Sequence, residues 1–193
     1  MFNWLANLLA GGTSDHTVKR SAERIYASIV AQARHPYFYR ELSVADTIPG
    51  RFEMITVHMF LVLDRLRDKG QEADSLAQEL VDIMFQDMDD VAREIGVGDM
   101  GVAPRIKKLA RSFRSRLEYY QKAIESDERD ALSSALLEIY FGNDSDKSAL
   151  AIELAGYIVQ EKKALYSLSI TEMLASKSLF GEPGSVEQKD HQL

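Results

Sequence analysis

An all-α fold, a single compact helical domain of about six to seven helices around a central apolar helix near residues 50–69, is what this sequence predicts. Three observations carry the prediction. Apolar residues recur every three or four positions along most of the 193 residues, which gathers them on one face of a helix with 3.6 residues per turn. No run alternates apolar and polar residues with β-branched enrichment, so no sheet is expected. The four prolines and eleven glycines fall mostly between the periodic segments. The expected division is an N-terminal segment at 1–16, the helical domain at 17–178 and a disordered polar tail at 179–193.

The first helix is expected at 18–34, with Ala22, Ile25, Tyr26, Ile29, Val30 and Ala33 on one face. His35-Pro36 ends it, because a residue before proline avoids the α region. Tyr37, Phe38 and Tyr39 then lie in an irregular segment. Asp46-Thr47-Ile48-Pro49-Gly50 is a turn, and Pro49 suits the opening of the next helix. That helix carries Phe52, Ile55, Met59, Val62 and Leu66 on one side and Met54, Val57, Phe60 and Leu61 on the other, so it is covered on most sides. A helix at 73–95 follows, stopped by Gly96. Pro104 opens another at 104–126, with a stripe of Ile106, Leu109, Phe113, Leu117, Tyr120 and Ile124. A short helix at 130–141 ends at Gly142-Asn143, and a long one runs from an N-cap at Ser145 to the mid-170s.

Composition removes whole classes of function. The net charge is -7, so attraction to nucleic acid or anionic lipid has to come from a local basic patch, and no DNA partner is expected. The absence of cysteine excludes disulfides, thiolate metal sites and a cysteine nucleophile. The first ten residues lack Lys and Arg, which argues against a secretory signal. The most apolar stretch, 54–63, stops at Asp64-Arg65, far short of the roughly 20 residues a bilayer span needs. A soluble protein is expected.

Several motifs fail on inspection. Gly96-Val97-Gly98-Asp99-Met100-Gly101 spells the dinucleotide fingerprint, but a helix rather than a strand enters it, and Asp99 sits where pyrophosphate belongs. None of His16, His35, His58 and His191 is paired with another His at i+3 or i+4, and there is no Glu-x-x-His pair, so no metal site and no cofactor are expected. His58, inside the most apolar helix, reads as a satisfied core histidine. Ser14-Asp15-His16 has the letters of a triad but not its spatial arrangement. No catalytic constellation emerges, and the chain is expected not to be an enzyme.

Charge separates two neighbouring helices. Residues 72–94 are strongly acidic, whereas 105–122 carry seven basic residues against Glu118. Lys107, Arg111 and Arg114 fall within a sector of roughly 60° beside the apolar stripe. Either the two helices pair their charges, or this is a contact face for ribosomal RNA, anionic lipid or an acidic segment. Asp87 projects among Leu76, Leu80, Ile83 and Val91, where a carboxylate needs a partner; an arginine of the basic helix is the ordinary answer.

The runs Ile29–Tyr39, Asp46–Met54, His58–Leu63, Phe85–Asp89 and Glu94–Val102, followed by the basic helix through Tyr119, resemble the ubiquinol–cytochrome c chaperone family in order and spacing, over about residues 20–142. The first fifteen residues and those after about 145 fall outside these motifs. The resemblance implies a non-enzymatic assembly factor that binds newly made cytochrome b during biogenesis of the respiratory ubiquinol–cytochrome c reductase. Mitochondrial members act with a small partner near the ribosomal tunnel exit. Without an Arg-rich transit segment this chain resembles a bacterial member, peripheral at the cytoplasmic face of the inner membrane, or a mature chain of the mitochondrial matrix. A client surface is expected from Tyr37, Phe38, Tyr39, Phe52, Asp87 and Met88, and a ribosome or membrane contact from Lys107, Arg111 and Arg114. The competing reading is a ribosome- or RNA-associated helical adaptor that uses the basic helix at 104–126.

Overall fold

Each periodic segment forms a helix in the computed structural model, which describes residues 16–94, 96, 99–126, 130–176 and 178–184. In chain order these are α1 (His16–Ala33), α2 (Pro36–Arg40), α3 (Ile48–Leu66), α4 (Gln71–Glu94), α5 (Asp99–Glu125), α6 (Ala131–Phe141), a 3-10 turn (Ser145–Lys147), α7 (Ser148–Ser167) and α8 (Ile170–Ala175). No strand occurs among the described residues. The chain divides into two compact units, one of Met1–Ala27 with Leu66–Glu118, the other of Ser28–Arg65 with Tyr119–Leu193.

In the first unit the buried residues are those the helical period selects: Ala22 and Ile25 on α1, Leu76, Leu80 and Met84 on α4, Phe113 and Leu117 on α5. Phe85 meets Phe113 edge-on with ring centres 5.8 Å apart, which packs the acidic helix against the basic one. In the second unit every residue of α3 from Met54 to Arg65 is buried, four of them polar. This is the central apolar helix that two-sided hydrophobicity predicts. Phe60 lies tilted against Tyr120 with ring centres 5.5 Å apart, and the Tyr140 hydroxyl donates to the Glu53 carbonyl at 2.9 Å.

Four boundaries differ from the sequence expectation. Residues 37–39 are helical, because His35 supplies an N-cap whose Nδ1 accepts from the Tyr37 amide at 3.3 Å and Pro36 occupies the first turn. α5 starts at Asp99 rather than at Pro104, which lies inside it at the cost of one i→i−4 bond near the helix start. The long last helix breaks at Leu168. There Arg65 caps α7, its Nε donating to the Leu165 carbonyl at 3.0 Å and its NH2 group to that of Leu168, and Ser169 opens α8 with a reciprocal capping box to Glu172. Asp144, not Ser145, is the cap before α7, accepting from the Asp146 amide at the head of the 3-10 turn.

The expected tail is the fifth difference. Leu179, Phe180 and Pro183 are buried, and the segment 178–184 is strapped to the second unit. The Leu179 amide donates to Ser28 Oγ at 3.1 Å, and the Gly181 amide to Glu161 Oε2 at 3.1 Å. At Gly184 (φ +82) a Cβ would sit 2.6 Å from the Tyr37 ring, so only glycine lets the strap lie this close. The rest of the tail and the N-terminal segment expected at 1–16, except its last residue, lie outside the described residues, as do Val97 and Gly98 of the rejected fingerprint. Gly96 has φ +80, as a helix C′ residue requires.

Candidate functional site

Four elements of the second unit bring aromatic rings around one histidine. Phe38 on α2, Tyr157 on α7 and Phe180 of the strap stand 5.6, 5.8 and 5.0 Å from the His58 ring on α3. His58 Nδ1 lies 2.7 Å from the Met54 carbonyl, an acceptor only, so the proton is assigned to Nδ1 and Nε2 accepts from the Tyr157 hydroxyl at 2.8 Å. Tyr157 in turn accepts from Gln32 Nε2 at 2.9 Å, and the same amide reaches the Gly181 carbonyl at 2.8 Å. Burial lowers the His58 pKa to about 4, against a partly opposing hydrogen bond to Met54. Burial likewise raises the Tyr157 hydroxyl and the Glu161 carboxyl. The imidazole is neutral at pH 7 with both nitrogens engaged and no exposed surface. It organises packing, as a core histidine should.

This cluster relocates two of the expected client residues. Phe38 is wholly buried, 5.1 Å from the Tyr157 ring, and Phe52 is buried on α3, so neither is presented at the surface. The expectation for Phe38 rested on irregular backbone at 37–39, and the helix α2 turns its ring inward instead. Tyr37 and Tyr39 are half-buried. The Tyr37 hydroxyl donates to Glu153 on α7, and that of Tyr39 to the Ala33 carbonyl at 2.7 Å.

On α4, Asp87 and Met88 are both partly exposed. Asp87 accepts from the Tyr26 hydroxyl at 2.7 Å, so its partner is a neutral phenol on α1 rather than an arginine of the basic helix. Lys107, Arg111 and Arg114 are exposed together on α5, and Arg114 Nε reaches Glu118 of its own helix at 3.1 Å. Along α4, Arg93 likewise takes Asp89 at 2.7 Å. The helices thus pack through Phe85 and Phe113, while this cationic sector points into solvent.

Sequence reasoning missed a surface on α7. Ile152 and Val159 are 60% and 39% exposed, seven residues apart, with Gly156 exposed between them. Tyr166 continues the row at 46% exposure, its ring under Lys162 Nζ at 4.8 Å and its hydroxyl donating to Asp64 Oδ2 at 2.9 Å. The signal was present as a second apolar row at i, i+4, i+7 beside the core row Leu154, Ile158 and Leu165. Among the described residues no group of three or more His, Asp or Glu side chains is placed to hold a metal ion, and no helix is long and apolar enough to cross a membrane.

Comparison with known proteins adds to this geometry. A model of the ubiquinol-cytochrome C chaperone family matches residues 40–180, so the matched region runs through α7 and α8 well past the motifs legible in the sequence. The ubiquinol-cytochrome-c reductase complex assembly factor 1 of Xenopus laevis is 21% identical over 175 residues, 91% of this chain and 86% of that protein. The Drosophila melanogaster protein of that name is 26% identical over 156 residues, 78% of this chain and 60% of its own length. The crystal structure of the Cbp3 homolog from Brucella abortus superposes with a TM-score of 0.79 at 33% identity, covering 89% of this chain and 94% of that one.

Proposed function

The chain belongs to the ubiquinol-cytochrome C chaperone family, a family of ubiquinol–cytochrome c reductase assembly factors, and on that premise we propose that it binds newly made cytochrome b as a non-enzymatic chaperone. The observation that carries the reading is the family match across residues 40–180 together with an exposed apolar row inside it. A client made of membrane-spanning helices offers long apolar faces. A helix presenting Ile152 and Val159 around an exposed glycine lets another helix approach closely.

Tyr37, tied to Glu153 next to Ile152, extends that surface as a client contact. Phe38 acts beneath it, by packing against Tyr157, and Phe52 by its burial in the core. Asp87 and Met88 on α4 form a second, smaller contact in the other unit. The cationic sector Lys107, Arg111 and Arg114 supports attraction to an anionic surface, membrane or ribosome, which would station the chaperone at the cytoplasmic face where cytochrome b is made. The family match favours this assembly role over an RNA adaptor built on the basic helix alone.

The test is a photo-crosslinker placed singly at Ile152, Val159 or Met88 of the full chain, in cells making cytochrome b. Adducts with cytochrome b before haem insertion are expected from 152 and 159. Adducts to other proteins only would overturn the client assignment.

A further inference from the structure

A cleft of about 270 Å³ in the second unit is lined by Arg34, Pro36, Tyr39, Arg40, Asp46 and Arg51. Three guanidinium groups against a single carboxylate leave it a formal surplus of two positive charges on a chain whose net charge is -7. We propose that this cleft binds a phosphate-bearing ligand, either a free phosphate compound or the phosphate of an anionic lipid headgroup, through Arg34, Arg40 and Arg51.

The arginines come from three elements whose junctions are fixed. Arg34 follows the last residue of α1, Arg40 ends α2, and Arg51 lies in the first turn of α3. Between α2 and α3 the turn carrying Asp46 is tight: the Thr47 amide donates to the Ala45 carbonyl and the Arg51 amide to that of Thr47, both at 2.9 Å. A Cβ at position 50 would sit 2.0 Å from the Ala45 carbonyl oxygen, so Gly50 is what allows this turn to close. Asp46 accepts from Arg51 Nε at 2.6 Å, which orients that guanidinium and leaves its two NH2 groups for another partner. Arg34 and Arg40 are exposed and make no ion pair among the described residues.

Tyr39 forms a fixed wall, its hydroxyl held by the Ala33 carbonyl at 2.7 Å. Burial raises its pKa, while the charges of Arg51 and Arg34, which line the same cleft, pull the other way. The negative end of α1 does not oppose an anion in full. Its last carbonyls, at Val30, Gln32 and Ala33, already accept from the Arg34 amide, the His35 amide and Tyr39. Planar guanidinium forks match the paired oxygens of a phosphate, and two surplus charges suit a dianion better than a single carboxylate. The cleft is several times the roughly 30 Å³ a water occupies in the liquid, so it admits phosphate with a small substituent.

Titration of the full chain with inorganic phosphate, at ionic strength held constant with sodium chloride, tests the proposal by calorimetry and by the shifts of the arginine Nε–H signals. Saturable binding is expected, weakened tenfold or more by Arg34→Gln with Arg40→Gln, about threefold by Arg40→Gln alone, and unchanged by Lys19→Gln with Arg20→Gln, an exposed basic pair on α1. Sedimentation with phosphatidylcholine vesicles, with and without phosphatidic acid, separates the sources. Phosphate binding without vesicle binding assigns a free phosphate compound, and phosphatidic-acid-dependent sedimentation lost in the cleft variants assigns a headgroup. Failure to bind either probe, or equal weakening by the Lys19 and Arg20 control, would overturn the proposal.

Discussion

Replacing Phe38 by alanine should destabilise the chain by about 3–5 kcal/mol, the range for removing a fully buried phenylalanine whose site cannot collapse. The ring has no exposed surface and stands edge-on to Tyr37, His58 and Tyr157, at 5.9, 5.6 and 5.1 Å. Its removal would open a cavity walled by a buried histidine whose two hydrogen bonds resist relaxation inward. Edge-on aromatic pairs add about 0.5–1.5 kcal/mol each beyond area burial, which favours the upper half of the range. Tyr37→Phe is the control, since it removes only the hydroxyl that reaches Glu153 and should cost about 1 kcal/mol. Urea denaturation followed by helical circular dichroism reads both, with cytochrome b capture measured on the same preparations. If Phe38→Ala cost less than about 1 kcal/mol yet abolished capture, Phe38 would be a client contact and its inward packing would be the wrong account.

Three further outcomes follow from the geometry. Because burial holds His58 near pKa 4 while an unfolded histidine titrates at 6.5, the unfolded chain binds more protons between those values; stability should be complete above pH 6.5 and fall by roughly 3 kcal/mol as pH drops to 4. Glu161, whose carboxyl burial raises, opposes this by favouring the folded state as pH falls, so His58→Gln should flatten or reverse the slope of urea midpoint against pH, and an unaltered profile would refute the assignment. Asp87→Ala should cost about 1 kcal/mol, one partly exposed phenol–carboxylate bond, with Tyr26→Phe adding little in a double-mutant cycle; a loss of about 3–5 kcal/mol would mean a buried charge partner instead. Lys107→Glu, Arg111→Glu and Arg114→Glu together should change stability by about 0.5 kcal/mol per site, plus the small loss of the Glu118 pair, while removing salt-sensitive sedimentation with anionic vesicles or ribosomes; unchanged sedimentation would leave that face without a contact role.

What the sequence made legible was whatever local physics decides. The two-sided apolar pattern of 50–69 pointed to α3, which ends at Leu66, and Gly96 and Gly142 marked helix ends through left-handed backbone. His58 read correctly as a core residue because an imidazole among apolar neighbours is cheapest when neutral and bonded. The misses needed partners distant in the chain. α7 stops where Arg65, a hundred residues away, captures its last carbonyls, although the apolar period continues into α8. Phe38 is buried because His58 and Tyr157 pack against it, and no feature of Tyr37-Phe38-Tyr39 distinguishes the middle ring from its neighbours. The row of Ile152, Gly156 and Val159 was readable as periodicity, but only the fold shows that this row faces outward. The arginine cleft draws on two of the motif runs, but nothing within either run shows that Arg34, Arg40 and Arg51 line one cavity.

The central claim, a chaperone for cytochrome b, is tested most directly by reduced-minus-oxidised spectra of membranes from a strain lacking the gene, complemented by the parent chain or by Ile152→Asp with Val159→Asp. The account predicts that the cytochrome b signal and the assembled reductase fall while other cytochromes remain. It predicts restoration by the parent but not by the double variant, although the latter's urea midpoint stays within the range of exposed substitutions, about 0.5 kcal/mol per site. A normal cytochrome b spectrum in the deletion strain would contradict it.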